Sequence, residues 1–280
     1  MRRFVAFIWA TAVLFYIVGV LRGVEDIAPF LCPIYWETTK IKPQPSPPSD
    51  TENEKDYLDE VPEVVEEDTP EEGEERIRFV GTAFFVSSDI VITAAHVLPI
   101  PVWDEPPPPP DEVIIPKIRI GDKFYTLTPL LVAPQERDIA VCKVEGYESP
   151  KYLKVDYTLP KVLEKTRIYS FFPSRDIQDE YGAVPQPVVW EAKVANPNFA
   201  AKWGISTPTV VKMLLLRPAA WNGASGSPII HRGKAIAVLV GIIPNASLLL
   251  AEPLATVKDS ISPLLSRARK KEAQRGRQRR

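Results

Sequence analysis

Gly81-Thr82-Ala83-Phe84-Phe85-Val86, then Ser87-Ser88-Asp89, then Ile90-Val91-Ile92-Thr93-Ala94-Ala95-His96 run one after another in this chain. Two short runs of β-branched and aromatic residues broken by a three-residue polar turn read as a pair of buried strands. The pattern repeats outward. Strands are expected at Ile77 to Val86, Ile90 to Thr93, Val113 to Ile120, Phe124 to Val132, Ile139 to Val144, Arg167 to Phe172, Val188 to Val194, Val210 to Leu216, Pro228 to His231 and Ala235 to Gly241. Short strands at intervals near ten residues point to sandwiches or barrels. Helical periodicity is expected only at Leu254 to Arg269, and Pro106 to Pro110 reads as a stiff exposed loop.

Composition agrees with this reading. The 280 residues are 45% hydrophobic, enough for real cores, and hold 30 prolines, about twice the ordinary share, which favours strands and turns over long helices. Cys32 and Cys142 are the only cysteines, so a disulfide framework is excluded as the source of stability. Cys142, inside Ile139-Ala140-Val141-Cys142, reads as a small buried hydrophobe.

The net charge of -2 hides a strong asymmetry. Residues 50–75 hold fourteen Asp and Glu against Lys55, and with the Pro-rich PQPSPP before them read as a solvated linker over residues 24–75. At the other end Arg267, Arg269, Lys270, Lys271, Arg275, Arg277, Arg279 and Arg280 face only Glu272, a basic tail over 266–280 that could attract anionic lipid or nucleic acid. Residues 4–21, FVAFIWATAVLFYIVGVL, are apolar and uncharged, close to the roughly twenty residues that span a bilayer. They read as a retained signal anchor within residues 1–23. Arg2 and Arg3 before it place the N-terminus inside and the rest of the chain on the non-cytoplasmic side.

Three segments offer the parts of nucleophilic acyl chemistry: a hydroxyl, a base to take its proton, and a carboxylate to orient the base. Ser225 lies in Gly223-Ala224-Ser225-Gly226-Ser227-Pro228, whose glycines permit a sharp turn. Of the two histidines, His96 ends a strand and is taken as the base, whereas His231 sits in the polar turn His231-Arg232-Gly233-Lys234 and reads as surface. Asp138 precedes the apolar run Ile139-Ala140-Val141 and is the carboxylate with a scaffold behind it. Asn245-Ala246-Ser247 is a glycosylation sequon, informative only in a secretory lumen.

At these residues the chain resembles the chymotrypsin-like serine proteases, especially HtrA/Deg-like and other disulfide-poor members. Gly81 to Val86 with Ile92-Thr93-Ala94-Ala95-His96, Arg137-Asp138-Ile139-Ala140-Val141, and Gly223 to Pro228 are similar to that family's three sequence blocks, in its order. The resemblance covers roughly residues 76–265. It implies an all-β domain of two six-stranded Greek-key barrels with a C-terminal helix, and a catalytic triad of His96, Asp138 and Ser225. It further implies an oxyanion hole from the Gly223 and Ser225 amides, substrate contacts at Ala219, Val240 and Gly241, protein or peptide substrates, and no metal or organic cofactor. Ala219, small and uncharged, argues against a preference for Lys or Arg. Two other readings fit the same residues: a protease fold kept as a binding scaffold, and a viral-type segment that cleaves itself from a precursor.

Overall fold

The computed structural model describes residues 28–40, 75–100, 112–133, 137–179, 182–202, 209–216, 223–243 and 248–278. Among them twelve strands and one long helix follow in order. They are β1 (Leu31–Lys40), β2 (Glu75–Phe85), β3 (Ile90–Thr93), β4 (Glu112–Ile120), β5 (Lys123–Ala133) and β6 (Ile139–Val144), then β7 (Lys165–Asp179), β8 (Gly182–Lys202), β9 (Thr209–Leu216), β10 (Pro228–His231), β11 (Lys234–Ile243), β12 (Leu248–Pro253) and α1 (Lys258–Gln278).

The first six strands close into an antiparallel barrel in the order β1-β2-β3-β6-β5-β4, with β4 returning to β1 from Ile34↔Ile118 to Lys40↔Glu112. The fold is mostly β, as expected. The second six curl in the order β10-β11-β12-β9-β8-β7, and β7 returns to β10 through two pairs, Ile229↔Ile168 and Ile230↔Arg167. Its long strands keep pairing through three register shifts, one between β7 and β8 at Pro173/Gln178 and two between β8 and β9 at Val194/Asn196 and Asn196/Phe199. Such irregularities bend a sheet and let it curl.

Strands β3, β6 and β10 have the bounds expected of them because each is a short apolar run with buried neighbours on both sides. Ile34, Phe84, Phe85, Ile92, Ile118 and Ile139 fill the first barrel, each almost wholly buried. Cys32 and Cys142 lie in the same core as free thiols. Burial pushes the Cys142 thiol up to about 12 and the Cys32 thiol up further, with Cys142 nearby adding to it, so neither is a nucleophile.

Three expectations need correction. The barrel begins at Leu31, inside the stretch read as linker, because β1 pairs with β2 and β4 far along the chain and leaves no local hairpin signal. The acidic segment therefore joins two neighbouring strands of the barrel: Thr39 pairs with Glu75 on either side of it. Strand β12, not expected at all, supplies a central member of the second sheet. The helix starts at Lys258 after a 3-10 turn at Leu254–Val257 and runs to Gln278, so most of the presumed basic tail is helical. Ala, Arg, Lys, Glu and Gln are strong helix formers, and the first half is anchored by Ile261, Leu265 and Ala268 in the core. The expected membrane helix at 4–21 and the loop at Pro106 to Pro110 lie outside the described residues. Among the described residues no helix is long and apolar enough to cross a membrane.

Candidate active site

The first barrel brings together the Asp138 carboxylate and the His96 imidazole. His96 sits in a one-turn 3-10 helix, Ala95–Val97, directly after β3, and the Trp36 indole N–H of β1 donates to the Val97 carbonyl at 2.8 Å, holding that turn against the barrel. Asp138 stands immediately before β6, wholly buried, with φ at +45°. A left-handed backbone costs most residues about 1 kcal/mol or more, and Asp is among the few that tolerate it. Its carboxylate is then fully employed. The His96 backbone N–H donates to Oδ1 at 3.0 Å, and His96 Nδ1 lies 2.8 Å from Oδ2 and 3.1 Å from Oδ1.

A carboxylate only accepts, so this arrangement calls for the tautomer with the proton on Nδ1, leaving the Nε2 lone pair free. That is the state of a general base. The imidazole is about a quarter exposed, reachable by a substrate-side proton, while its partner is not. Next to Asp138, Arg137 reaches across to the second sheet, with a guanidinium nitrogen 3.9 Å from the carboxylate of Glu252 on β12. Glu252 is wholly buried and also accepts from the Thr256 hydroxyl, so its charge is compensated from two sides.

The second sheet brings the hydroxyl. Ser225 lies in a tight segment between Gly223 (φ +95°) and Gly226 (φ +85°). At Gly226 a methyl would sit 1.9 Å from the Thr82 carbonyl oxygen and 2.3 Å from Thr93 Oγ1, so only hydrogen fits there. The Gly226 N–H donates to Leu239 O of β11 at 2.8 Å and the Leu239 N–H returns to Ser227 O at 2.8 Å. The Ser227 hydroxyl donates to Ala224 O at 2.6 Å, closing the turn on itself.

Thr82 of β2 is the residue that joins the two halves, and its role was not foreseen. Its N–H donates to Ser225 O at 2.9 Å and its hydroxyl donates to Gly223 O at 3.0 Å, while the Phe171 N–H of β7 donates to that hydroxyl at 3.3 Å. Thr93 Oγ1 donates to Thr82 O at 2.8 Å. The signal was present as the Gly81-Thr82 pair, but a wholly buried hydroxyl reads from sequence as an ordinary strand residue. Ser225 thus reaches the His96 region through β2: a methyl on Gly81 would meet both Val97 Cγ1 at 2.5 Å and Ser225 O at 3.2 Å.

His96 and Asp138 are hydrogen-bonded; Ser225 is tied to the same seam through Thr82, with no hydrogen bond between its hydroxyl and His96 among the described residues. The Gly223 and Ser225 amides donate to no protein group among the described residues, which leaves them available to an incoming oxygen. Val240, nearly buried, is skipped where pairing shifts between Leu239 and Gly241, so β11 kinks beside the Ser225 turn. Ala219 lies outside the described residues. His231, expected at the surface, is half-buried at the end of β10 with Nε2 3.5 Å from Glu164 Oε2, a separate pair from the first.

The family described as trypsin-like peptidase domain matches residues 81–242, more than half of the chain. No curated protein matches it. Among solved structures, the active form of the Rv3671c protease from M. tuberculosis is similar, with 17% identity over 85% of this chain and 82% of that one and a TM-score of 0.52. The inactive form of the same protease gives 16% identity over 86% of this chain and 91% of that chain, with a TM-score of 0.50. Neuropsin, a serine protease expressed in the limbic system of mouse brain, gives 14% over 67% and 90%, with a TM-score of 0.48.

Proposed function

The chain belongs to the trypsin-like peptidase family, and on that premise we propose that it is a serine endopeptidase, held at a membrane by residues 4–21, that cleaves through an acyl-enzyme. We read the curled second sheet as the second barrel of that fold. Ser225 is the nucleophile; His96 takes its proton at Nε2 and returns it to the leaving amine, and Asp138 holds the imidazole. The Gly223 and Ser225 amides stabilise the oxyanion, which carries charge only after attack has begun, so their help goes to the transition state. The observation that carries the reading is the buried Asp138 carboxylate taking both the backbone and ring N–H of His96, since a merely structural Asp has no need of the ring.

Val240 and Gly241 belong to the strand expected to pair with substrate, and Ala219 is the position that the family resemblance assigns to the primary pocket; small or aliphatic side chains are the preferred residues. A peptide-library profile dominated by Lys or Arg would contradict that preference. The test of the mechanism is labelling of the whole chain by a fluorophosphonate probe. Labelling that disappears in Ser225→Ala, together with a loss of peptide turnover on the order of 10⁴ to 10⁶, supports the assignment. Unlabelled, folded wild-type chain would make the fold a binding scaffold instead.

A further inference from the structure

The two ends of the first barrel differ in chemistry. Chain direction defines them: β3 runs from the Ser87 to Asp89 turn toward His96, while β1 starts at Leu31 opposite Phe84, near that same turn. At the turn end, Pro29, Leu31, Tyr35, Phe85, Tyr147 and Phe171 line a largely apolar cavity of about 440 Å³ between the barrel and the second sheet, with Arg119 and Asp122 also in its lining. The residue after Tyr147, Glu148, accepts from Arg275 of α1. Glu272 of α1 accepts from the Ser88 N–H at 2.8 Å and from the Tyr152 hydroxyl at 3.4 Å. The last turns of the helix therefore flank the cleft.

With Ile261, Leu265 and Ala268 turned into the core, the outer arc of α1 carries exposed Arg267, Lys270 and Arg277, and exposed Arg269 and Lys271 on its flanks. From Ser260 to Gln278 the one acid is Glu272, and it is turned inward onto the barrel. The apolar run that ends at Leu21 lies eight residues before Pro29, a span of roughly 27 Å at full extension. The acidic segment joins β1 and β2 at the opposite end, between Lys40 and Glu75. The basic arc and the apolar cleft share one end, where the acids Asp122 and Glu148 stand against Arg119 and Arg275, and the acidic segment joins the strands at the other.

We propose that the cleft end of the first barrel, with the outer arc of α1, is a docking face for an anionic lipid bilayer. Headgroup phosphates meet the basic arc, the interfacial layer meets the apolar cleft, and the His96 end points into solution toward substrate. The inference deepens the tether reading, on which it rests for a bilayer within reach. A nucleic acid would use the basic arc but has no use for an apolar cleft beside it, which favours lipid.

The full chain carrying Ser225→Ala and Gln274→Cys tests it. Cys32 and Cys142 are buried, so a nitroxide attaches at the exposed position 274. The chain is reconstituted in vesicles of phosphatidylcholine, with or without phosphatidylglycerol. Accessibility of the label to a water-soluble relaxation agent is expected to fall about tenfold with phosphatidylglycerol, and to be restored by high salt, by Arg267→Glu with Lys270→Glu and Arg277→Glu, and partly by the same three changed to Gln. Equal accessibility in both lipids, or unchanged protection in the charge-reversed variant, overturns the proposal. So does protection by a short DNA duplex in phosphatidylcholine that phosphatidylglycerol vesicles fail to displace. Retention in phosphatidylcholine vesicles after an alkaline wash reports the tether separately: chain that washes off refutes the anchor, and adding phosphatidylglycerol vesicles to it still tests the face.

Discussion

The two sheets contribute unequally to the site. The first barrel builds its share from its own strands: the His96 turn, Asp138 before β6, and Trp36 bracing the turn all belong to it. The second sheet offers the Ser225 turn, and that turn is shaped as much by Thr82 of the first barrel as by its own Leu239. One half of the chemistry is thus assembled within a closed unit, while the other depends on the seam between units. The His96–Asp138 pair is local to a closed barrel; the Ser225 turn, the proposed nucleophile's seat, is positioned by docking.

If that contrast is right, changes in the first half should act on chemistry and changes in the seam on assembly. Asp138→Asn reverses which imidazole nitrogen carries the proton and should lower kcat on the order of 10⁴-fold with little change in KM, measured on a peptide substrate. Thr82→Val removes a buried hydroxyl shared by Gly223 O and the Phe171 N–H, keeping the shape; kcat should fall roughly 10- to 100-fold, with a lower melting temperature. A loss for Thr82→Val as large as that for Asp138→Asn would erase the distinction between the halves. Glu252→Ala removes the carboxylate that Arg137 and the Thr256 hydroxyl approach and opens a gap at the seam, costing about 2 kcal/mol, or roughly 4 to 8 °C in Tm.

The smallest effect is a pH dependence confined to the second sheet. The Thr158 backbone N–H, and then Lys234, hold Asp156 down to about 2 from its ordinary 3.8. A folded-state value below the unfolded one means stability present above about pH 3.8 and lost as pH falls toward about 2. Thermal melts across that window should lose less in Asp156→Asn than in the parent; equal slopes would discard Asp156 as a contributor.

Much of the first half was legible beforehand, for a physical reason. β3 and β6 are apolar on both faces, and His96 and Asp138 sit at their ends, so composition and position agree within a few residues of each functional group. β1 was not legible: Pro33 interrupts its run, and both its partners lie across long separations. β12, Leu248–Pro253, follows a strand already recognised, but nothing local showed that Leu248 to Ala251 pair with Met213 to Leu216. The helix is expected from sequence only to Arg269; its continuation to Gln278 goes with Glu272 and Arg275 meeting Ser88, Tyr152 and Glu148 on the barrel.

By itself, the order of residues along this chain determined which side chains can do chemistry, their sequence order, and most of the strands, because those depend on side-chain type and on spacing within about ten residues. Tertiary structure alone decided that the acidic segment lies between two barrel strands, that Thr82 couples the halves, and that a basic helix stands beside an apolar cleft. Each of these is a contact between residues far apart in the chain, and a contact of that kind imprints no period on either stretch that makes it.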